Sequence, residues 1–192
     1  MQYQTLPQLN EKVSKICLGT MTWGQQNSES DAHEQMDLAL SEGVNFWDTA
    51  EMYPSPPDKD KQGDTERFMG TWFQKTKQRD KVVLASKISP MDFLRDGQTR
   101  FNAAHISSAI DGNLERLQTD YIDIYQLHWP ERQTNYFSQL GYTEAMAAQP
   151  LDDLTPFLET IQALNDEIKK GRIRAYGLSN DTAWGLMRYL WE

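Results

Sequence analysis

Four side chains in this sequence can do proton chemistry if the fold gathers them: Asp48, Tyr53, Lys87 and His128. Asp48 closes the run Asn45-Phe46-Trp47-Asp48, and Tyr53 follows five residues later. Lys87 and His128 stand at the ends of two more apolar runs, 81–87 and 121–128. A lysine ending an apolar strand is costly to bury without a partner, and Asp48 is the natural one. A cation beside Tyr53 favours phenolate and lowers the phenol pKa from about 10. Tyrosine can then give a proton to a developing alkoxide near neutral pH. A neutral His128 can orient and polarise a carbonyl. Each residue alone also fits a plainer role: a capping Asp, a half-buried Tyr, a surface Lys, a packed His. Asp48 with His128 lacks a third close metal ligand, because His33 and His105 fall on expected helices, so no metal site is expected.

The elements that must position these groups follow from local pattern. Residues 1–14 alternate weakly around a polar turn and read as a short hairpin. Buried strands are expected at 15–20, 44–49, 81–87, 121–128 and 174–180. A helix follows each. Ser28 or Ser30 can cap the first helix, with Ala32, Met36, Ala39 and Leu40 on its face and Gly43 at its stop. The second helix turns Phe68, Trp72 and Phe73 inward, and the third Ile106, Ile110, Leu114 and Leu117. The fourth takes Thr155 as N-cap and Pro156 as its first residue, with Leu158, Ile161, Leu164 and Ile168 as its stripe. The last helix starts near Asp181. Residues 54–63, 89–100 and 130–152 read as irregular loops, the last of them functional.

Strands alternating with helices imply parallel pairing and right-handed crossovers. Loops are long after strands and short after helices, as in a (β/α)₈ barrel whose chemistry sits at the carboxyl ends of its strands. The competing doubly wound sheet lacks its Gly-x-Gly-x-x-Gly after strand one. The expected fold is therefore α/β, a TIM-type (β/α)₈ barrel. It is incomplete, with about five β/α units and an N-terminal hairpin in one domain over residues 1–192. The chain stops in an apolar helix at Leu190-Trp191-Glu192, so it reads as a truncated product or a fragment. Its open sheet edges invite self-association.

A formal charge of −9 argues against a nucleic-acid partner, which needs clustered Lys and Arg. No run has the length of a membrane span, and the first residues show no signal peptide. The one cysteine, Cys17, is expected as a small buried hydrophobe in a reduced, cytoplasmic setting.

The segments 18–24, 48–53, Ala85-Ser86-Lys87, Gln126-Leu127-His128-Trp129-Pro130 and Gly177-Leu178-Ser179-Asn180 together resemble the aldo-keto reductases. Glu51-Met52-Tyr53-Pro54 and the His128-Trp129-Pro130 loop look most like the bacterial Tas-type members. The resemblance runs in order along essentially the whole chain. It implies a barrel that binds NADP(H) without a Rossmann fold and passes hydride to a small aldehyde or ketone. By motif match Tyr53 would be the proton donor, with Lys87 and Asp48 depressing its pKa, and His128 would orient the carbonyl. Thr20 and Met21 would touch the cofactor, as would Asp48, and Ser179 and Asn180 would bind its carboxamide. Trp23, Tyr53 and Trp129 would line an apolar substrate pocket. The three further β/α units of full members, which carry the nicotinamide stack and the phosphate clamps, are not in this sequence. Impaired activity is the expectation, with a non-catalytic nucleotide-binding regulatory subunit or an inactive product as alternatives.

Overall fold

In the computed structural model, residues 1–90, 99–135, 141, 143–148, 150 and 153–192 are described. Strands β1 (Tyr3–Leu6) and β2 (Glu11–Ser14) form the antiparallel hairpin. Then come β3 (Cys17–Gly19), α1 (Glu29–Ser41), β4 (Phe46–Asp48), α2 (Asp64–Thr76), β5 (Val83–Ile88) and α3 (Ala103–Leu117). They are followed by β6 (Ile122–Leu127), α4 (Glu144–Ala148), α5 (Phe157–Lys169), β7 (Ile173–Leu178) and α6 (Ala183–Trp191). Among the described residues, no helix is long and apolar enough to cross a membrane.

The order of the five-stranded parallel sheet is β3-β4-β5-β6-β7, which is chain order. A doubly wound sheet reverses its order at a switch point. Here there is no reversal, and α1 meets α2, α2 meets α3, α3 meets α5, and α5 meets α6. All the crossover helices therefore lie on one side, as in an incomplete α/β barrel. The other side is concave and less covered, although Val83, Ala85 and Lys87 of the central strand β5 are buried there as well. Strand burial records the difference: Trp47, Leu84, Ser86 and Tyr125 are buried against the helices. Asp48 and Gln126 are half-exposed on the concave side.

Local chemistry explains the element ends. Ser28 and Asp31 form a capping box at α1, whose Ala32 and Met36 are fully buried. Gly43, after α1, has φ +78, a conformation that glycine tolerates best. The hairpin is tied under the sheet by Ser14 N donating to Asn45 Oδ1 at 2.8 Å. Trp47 lies edge-on to Trp72, with ring centroids 5.1 Å apart, and anchors β4 to α2.

Three expectations are corrected. Pro156 is itself the residue before α5, and Thr155 is not its N-cap; the buried face is Thr160, Ala163, Leu164 and Glu167, while Leu158 is 45 % exposed. The face that packs lies one residue earlier than the expected stripe, about 100° round the helix, with Leu164 common to both and Ile168 at its margin. Cys17 is exposed, because it points to the concave side on the edge strand β3. The segment 130–152 holds the short helix α4 where irregular chain was expected. Residues 136–140, 142, 149 and 151–152 of that segment, and 91–98 of the loop 89–100, lie outside the described residues.

Helix α2 crosses α3 at Gly70, where a Cβ would run into the Arg116 carbonyl oxygen and lie 2.9 Å from the Leu117 carbonyl carbon. Both obstacles are backbone. Gly70→Ala should therefore cost about 1–3 kcal/mol, although alanine is the better helix former by about 1 kcal/mol. Thermal melting checks this; an unchanged or raised midpoint would contradict the close approach.

Candidate active site

Every residue singled out for chemistry lies at the carboxyl end of the sheet. Asp48 ends β4, Lys87 is the penultimate residue of β5, His128 follows β6, and Ser179-Asn180 follow β7. Parallel pairing puts Gly19 opposite Asp48 and Lys87 opposite Gln126. Ladder-like bonds continue past the strands. Thr49 N donates to Ala85 O, Glu51 N to Lys87 O and His128 N to Ile88 O. This extension carries the chain after β4 across the rim and returns Tyr53 toward Lys87.

Lys87 Nζ is the hub. It donates to Asp48 Oδ1 at 2.5 Å and to Thr49 O at 2.7 Å, and lies 3.4 Å from Tyr53 Oη. Its side chain is 5 % exposed against 30 % for Asp48. Asp48 Oδ2 accepts from Gln126 Nε2 at 3.0 Å, so the carboxylate is held from two strands. The rings of Tyr53 and His128 meet edge-on with centroids 5.6 Å apart, and Trp129 stacks on His128 at 3.9 Å. Ser89 Oγ and His128 Nδ1 are hydrogen-bonded at 2.9 Å. Asn180 Nδ2 donates to His128 O at 2.9 Å and to Ser179 Oγ at 3.1 Å.

These groups face one cavity of about 570 Å³. Asp48, Lys87, Gln126, His128, Ser179 and Asn180 form its polar wall; Met21, Met52, Tyr53, Trp129 and prolines form its apolar wall. Tyr53 and Trp129, expected along a substrate pocket, are both there. Trp23 is not: it is 2 % exposed in the main core, with Nε1 donating to Gln35 Oε1 at 3.0 Å. Thr20 lies behind the wall, where its backbone N and Oγ1 both donate to Asp48 O. Gln126, Ser89 and Met52 were missed by sequence reasoning. A polar residue two before His128 in an apolar strand was the available signal for Gln126. A serine two residues beyond Lys87 carries no comparable signal.

The electrostatics correct one expectation. Tyr53 is pushed above its ordinary pKa, first by burial and then by Asp48, and not lowered. Burial strips water from the phenolate and the Asp48 carboxylate repels it, so both favour the neutral phenol. Burial also lowers Lys87, against the opposing pull of Asp48. His128 falls from 6.5 to about 2, first by burial and then by the Lys87 charge. At neutral pH the site therefore holds a protonated phenol and a neutral imidazole.

The His128 shift has a consequence for stability. Between about 2 and 6.5 the unfolded chain binds the proton that the folded one refuses. Stability is thus fully present above about 6.5 and falls with pH below it, by about 1.4 kcal/mol per pH unit from this group. Denaturation of wild type and His128→Asn at about pH 4.5 and 6.5 should show the wild type losing more, at about that slope. Equal slopes would mean that the imidazole is not held neutral.

The sequence matches the Aldo/keto reductase family over residues 15–192. It is 45% identical over 194 residues to Protein tas of Escherichia coli K12, covering 99% of this chain and 55% of that protein. It is 31% identical over 186 residues to the aldo-keto reductase YhdN of Bacillus subtilis, covering 94% of this chain and 47% of that protein. Among solved structures it is similar to the holo form of aldo-keto reductase AKR11C1 from Bacillus halodurans, with TM-score 0.73, 31% identity, and coverage of 99% of this chain and 54% of that one. An aldo-keto reductase from Klebsiella pneumoniae in complex with NADPH superposes with TM-score 0.70 and 27% identity, over 100% of this chain and 54% of that one. The chain thus spans about half the length of the curated relatives it matches.

Proposed function

This chain belongs to the aldo/keto reductase family, and from that premise we propose that it serves NADP(H)-dependent reduction of a small aldehyde or ketone, with Tyr53 as the proton donor. The observation that carries the reading is the placement of Tyr53 Oη 3.4 Å from Lys87 Nζ, beside His128, on one cavity wall. When bound, the reduced nicotinamide supplies hydride to the carbonyl carbon.

The chain's own residues do the rest. His128, neutral, donates to the carbonyl oxygen and fixes its direction. Tyr53 gives its phenolic proton to that oxygen as negative charge grows there. Lys87 stabilises the phenolate left behind, while Asp48 and Gln126 hold Lys87 in place. Met52 and Trp129 exclude water around the reacting carbonyl. The wall fits a nicotinamide at one end: Ser179 and Asn180 present a hydroxyl and an amide suited to a carboxamide. It fits the phosphates poorly. Lys87 is the one cation among the described lining residues, and it is engaged by Asp48.

That charge deficit favours a second reading for this 192-residue chain taken alone: weak nucleotide binding, as in an inactive product or a non-catalytic subunit. Aldehyde-dependent NADPH oxidation, followed alongside nucleotide fluorescence titration, separates them. Turnover supports the reductase. Binding without turnover supports a regulatory subunit, and neither supports an inactive product.

A further inference from the structure

We infer that the Ser89 hydroxyl donates to His128 Nδ1 and so keeps the single imidazole proton on Nε2, at the cavity, which makes Ser89 a positioning residue for His128. The contact is built into the wall. Ser89 is 0 % and His128 3 % exposed, and Oγ lies 2.9 Å from Nδ1. Ser89 is anchored from the other side, since its backbone N donates to Glu51 Oε1 at 2.6 Å and Glu51 is 2 % exposed. The ring itself cannot swing away, because Trp129 stacks on it and Tyr53 abuts it edge-on. Its backbone is tied at both ends, N to Ile88 O and O to Asn180 Nδ2.

The two ring nitrogens are therefore unlike. Nδ1 faces a buried hydroxyl. Nε2 has no hydrogen-bond partner among the described residues, and the ring borders the cavity. A neutral imidazole carries one N–H, and the nitrogen without it accepts. A serine hydroxyl can take either role, so the contact alone leaves two tautomers. The incoming group decides between them. A carbonyl oxygen offers only lone pairs, so it pairs with Nε2 only when that nitrogen carries the proton. Nδ1 must then accept, and Ser89 must donate. This step rests on the carbonyl-reductase reading. The depressed basicity of His128 supports it, because the ring stays neutral and never holds both protons.

The test reads the tautomer directly in the 192-residue chain. It uses nitrogen NMR on protein labelled at its three histidines, and His128 is assigned as the signal lost in His128→Asn. The wild type is expected to show one His128 tautomer, with the proton on Nε2 and with Nδ1 displaced from the position of an unbonded pyridine-type nitrogen. The pattern should not change between about pH 5 and 8. In Ser89→Ala the Nδ1 signal should move to the unbonded position. A wild-type spectrum with the proton on Nδ1, or an exchanging mixture, overturns the assignment without any variant. So does a Ser89→Ala spectrum whose Nδ1 signal stays where it was. Failure of carbonyl turnover with the expected spectrum intact would count against the reductase reading and leave the Ser89 contact standing.

Discussion

Tyr53→Phe is expected to lower kcat for carbonyl reduction by about a hundred- to ten-thousand-fold, with little change in nucleotide affinity. The substitution deletes one oxygen and keeps the ring, so the edge-on contact with His128 and the Lys87 ammonium 4.9 Å from the ring centroid survive. What disappears is the only phenol on the cavity wall among the described residues. Its proton is available at neutral pH because burial holds the pKa above its ordinary value. Deprotonation of Tyr53 should accordingly leave the rate unaffected through the neutral range. Steady-state NADPH oxidation in wild type and variant, with fluorescence titration beside it, makes the comparison. Undiminished kcat in the variant would remove Tyr53 from the proton-donor role. Loss of nucleotide affinity with kcat intact would assign it to binding.

Glu66→Gln is expected to be among the most destabilising single changes, by about 3–5 kcal/mol. Glu66 is 0 % exposed on α2 and faces the back of β5. Its Oε1 accepts from Ser86 Oγ and from Asn113 Nδ2, both at 2.6 Å, and its Oε2 from Arg116 Nε at 2.7 Å. Asn113 Oδ1 in turn accepts from Tyr125 OH at 2.9 Å, which reaches β6. Removing the charge leaves the Arg116 guanidinium, only 17 % exposed, without its counter-ion. Urea denaturation checks the magnitude. A loss below about 1 kcal/mol, the range of exposed pairs, would show that water reaches the ion pair. The network matters to the site because Ser86 precedes Lys87. One residue of β5 is fastened to the helices and the next presents its ammonium to the cavity. A loosened Ser86 should therefore also reduce turnover, by a smaller factor than Tyr53→Phe.

Much of this was legible in the chain. The apolar run that marks β6 and the four-residue spacing of Ile106 and Ile110 are local, and so is the stop signal at Gly43. That glycine adopts positive φ. Local pattern was also enough to place ionisable groups at successive strand ends. In parallel strands it follows that such ends share one rim, so the meeting of Asp48, Lys87 and His128 could be read before any coordinate. The partner of Lys87 could be named for the same reason. A buried ammonium needs an anion, and the neighbouring strand ended in one.

Other features depended on distances across the fold. Trp23 looks like a pocket residue in sequence, but α1 and α2 close over it and only their packing says so. Cys17 is apolar enough for a core, yet on the edge strand β3 it points to the open concave side. The Tyr53 pKa runs opposite to the expectation from a neighbouring cation. A pKa sums burial and every nearby charge, and here burial and then the Asp48 carboxylate both push the phenol up. The Ser89–His128 contact joins residues 39 positions apart. Sequence by itself determined the hairpin, the five parallel strands, the five longer helices and which strand ends carry charge, since backbone preference and side-chain period act over a few residues. Tertiary structure decided which face is open, which tryptophan is walled in and which way the phenol titrates, since solvation and Coulomb interactions act through space between segments that the chain keeps far apart.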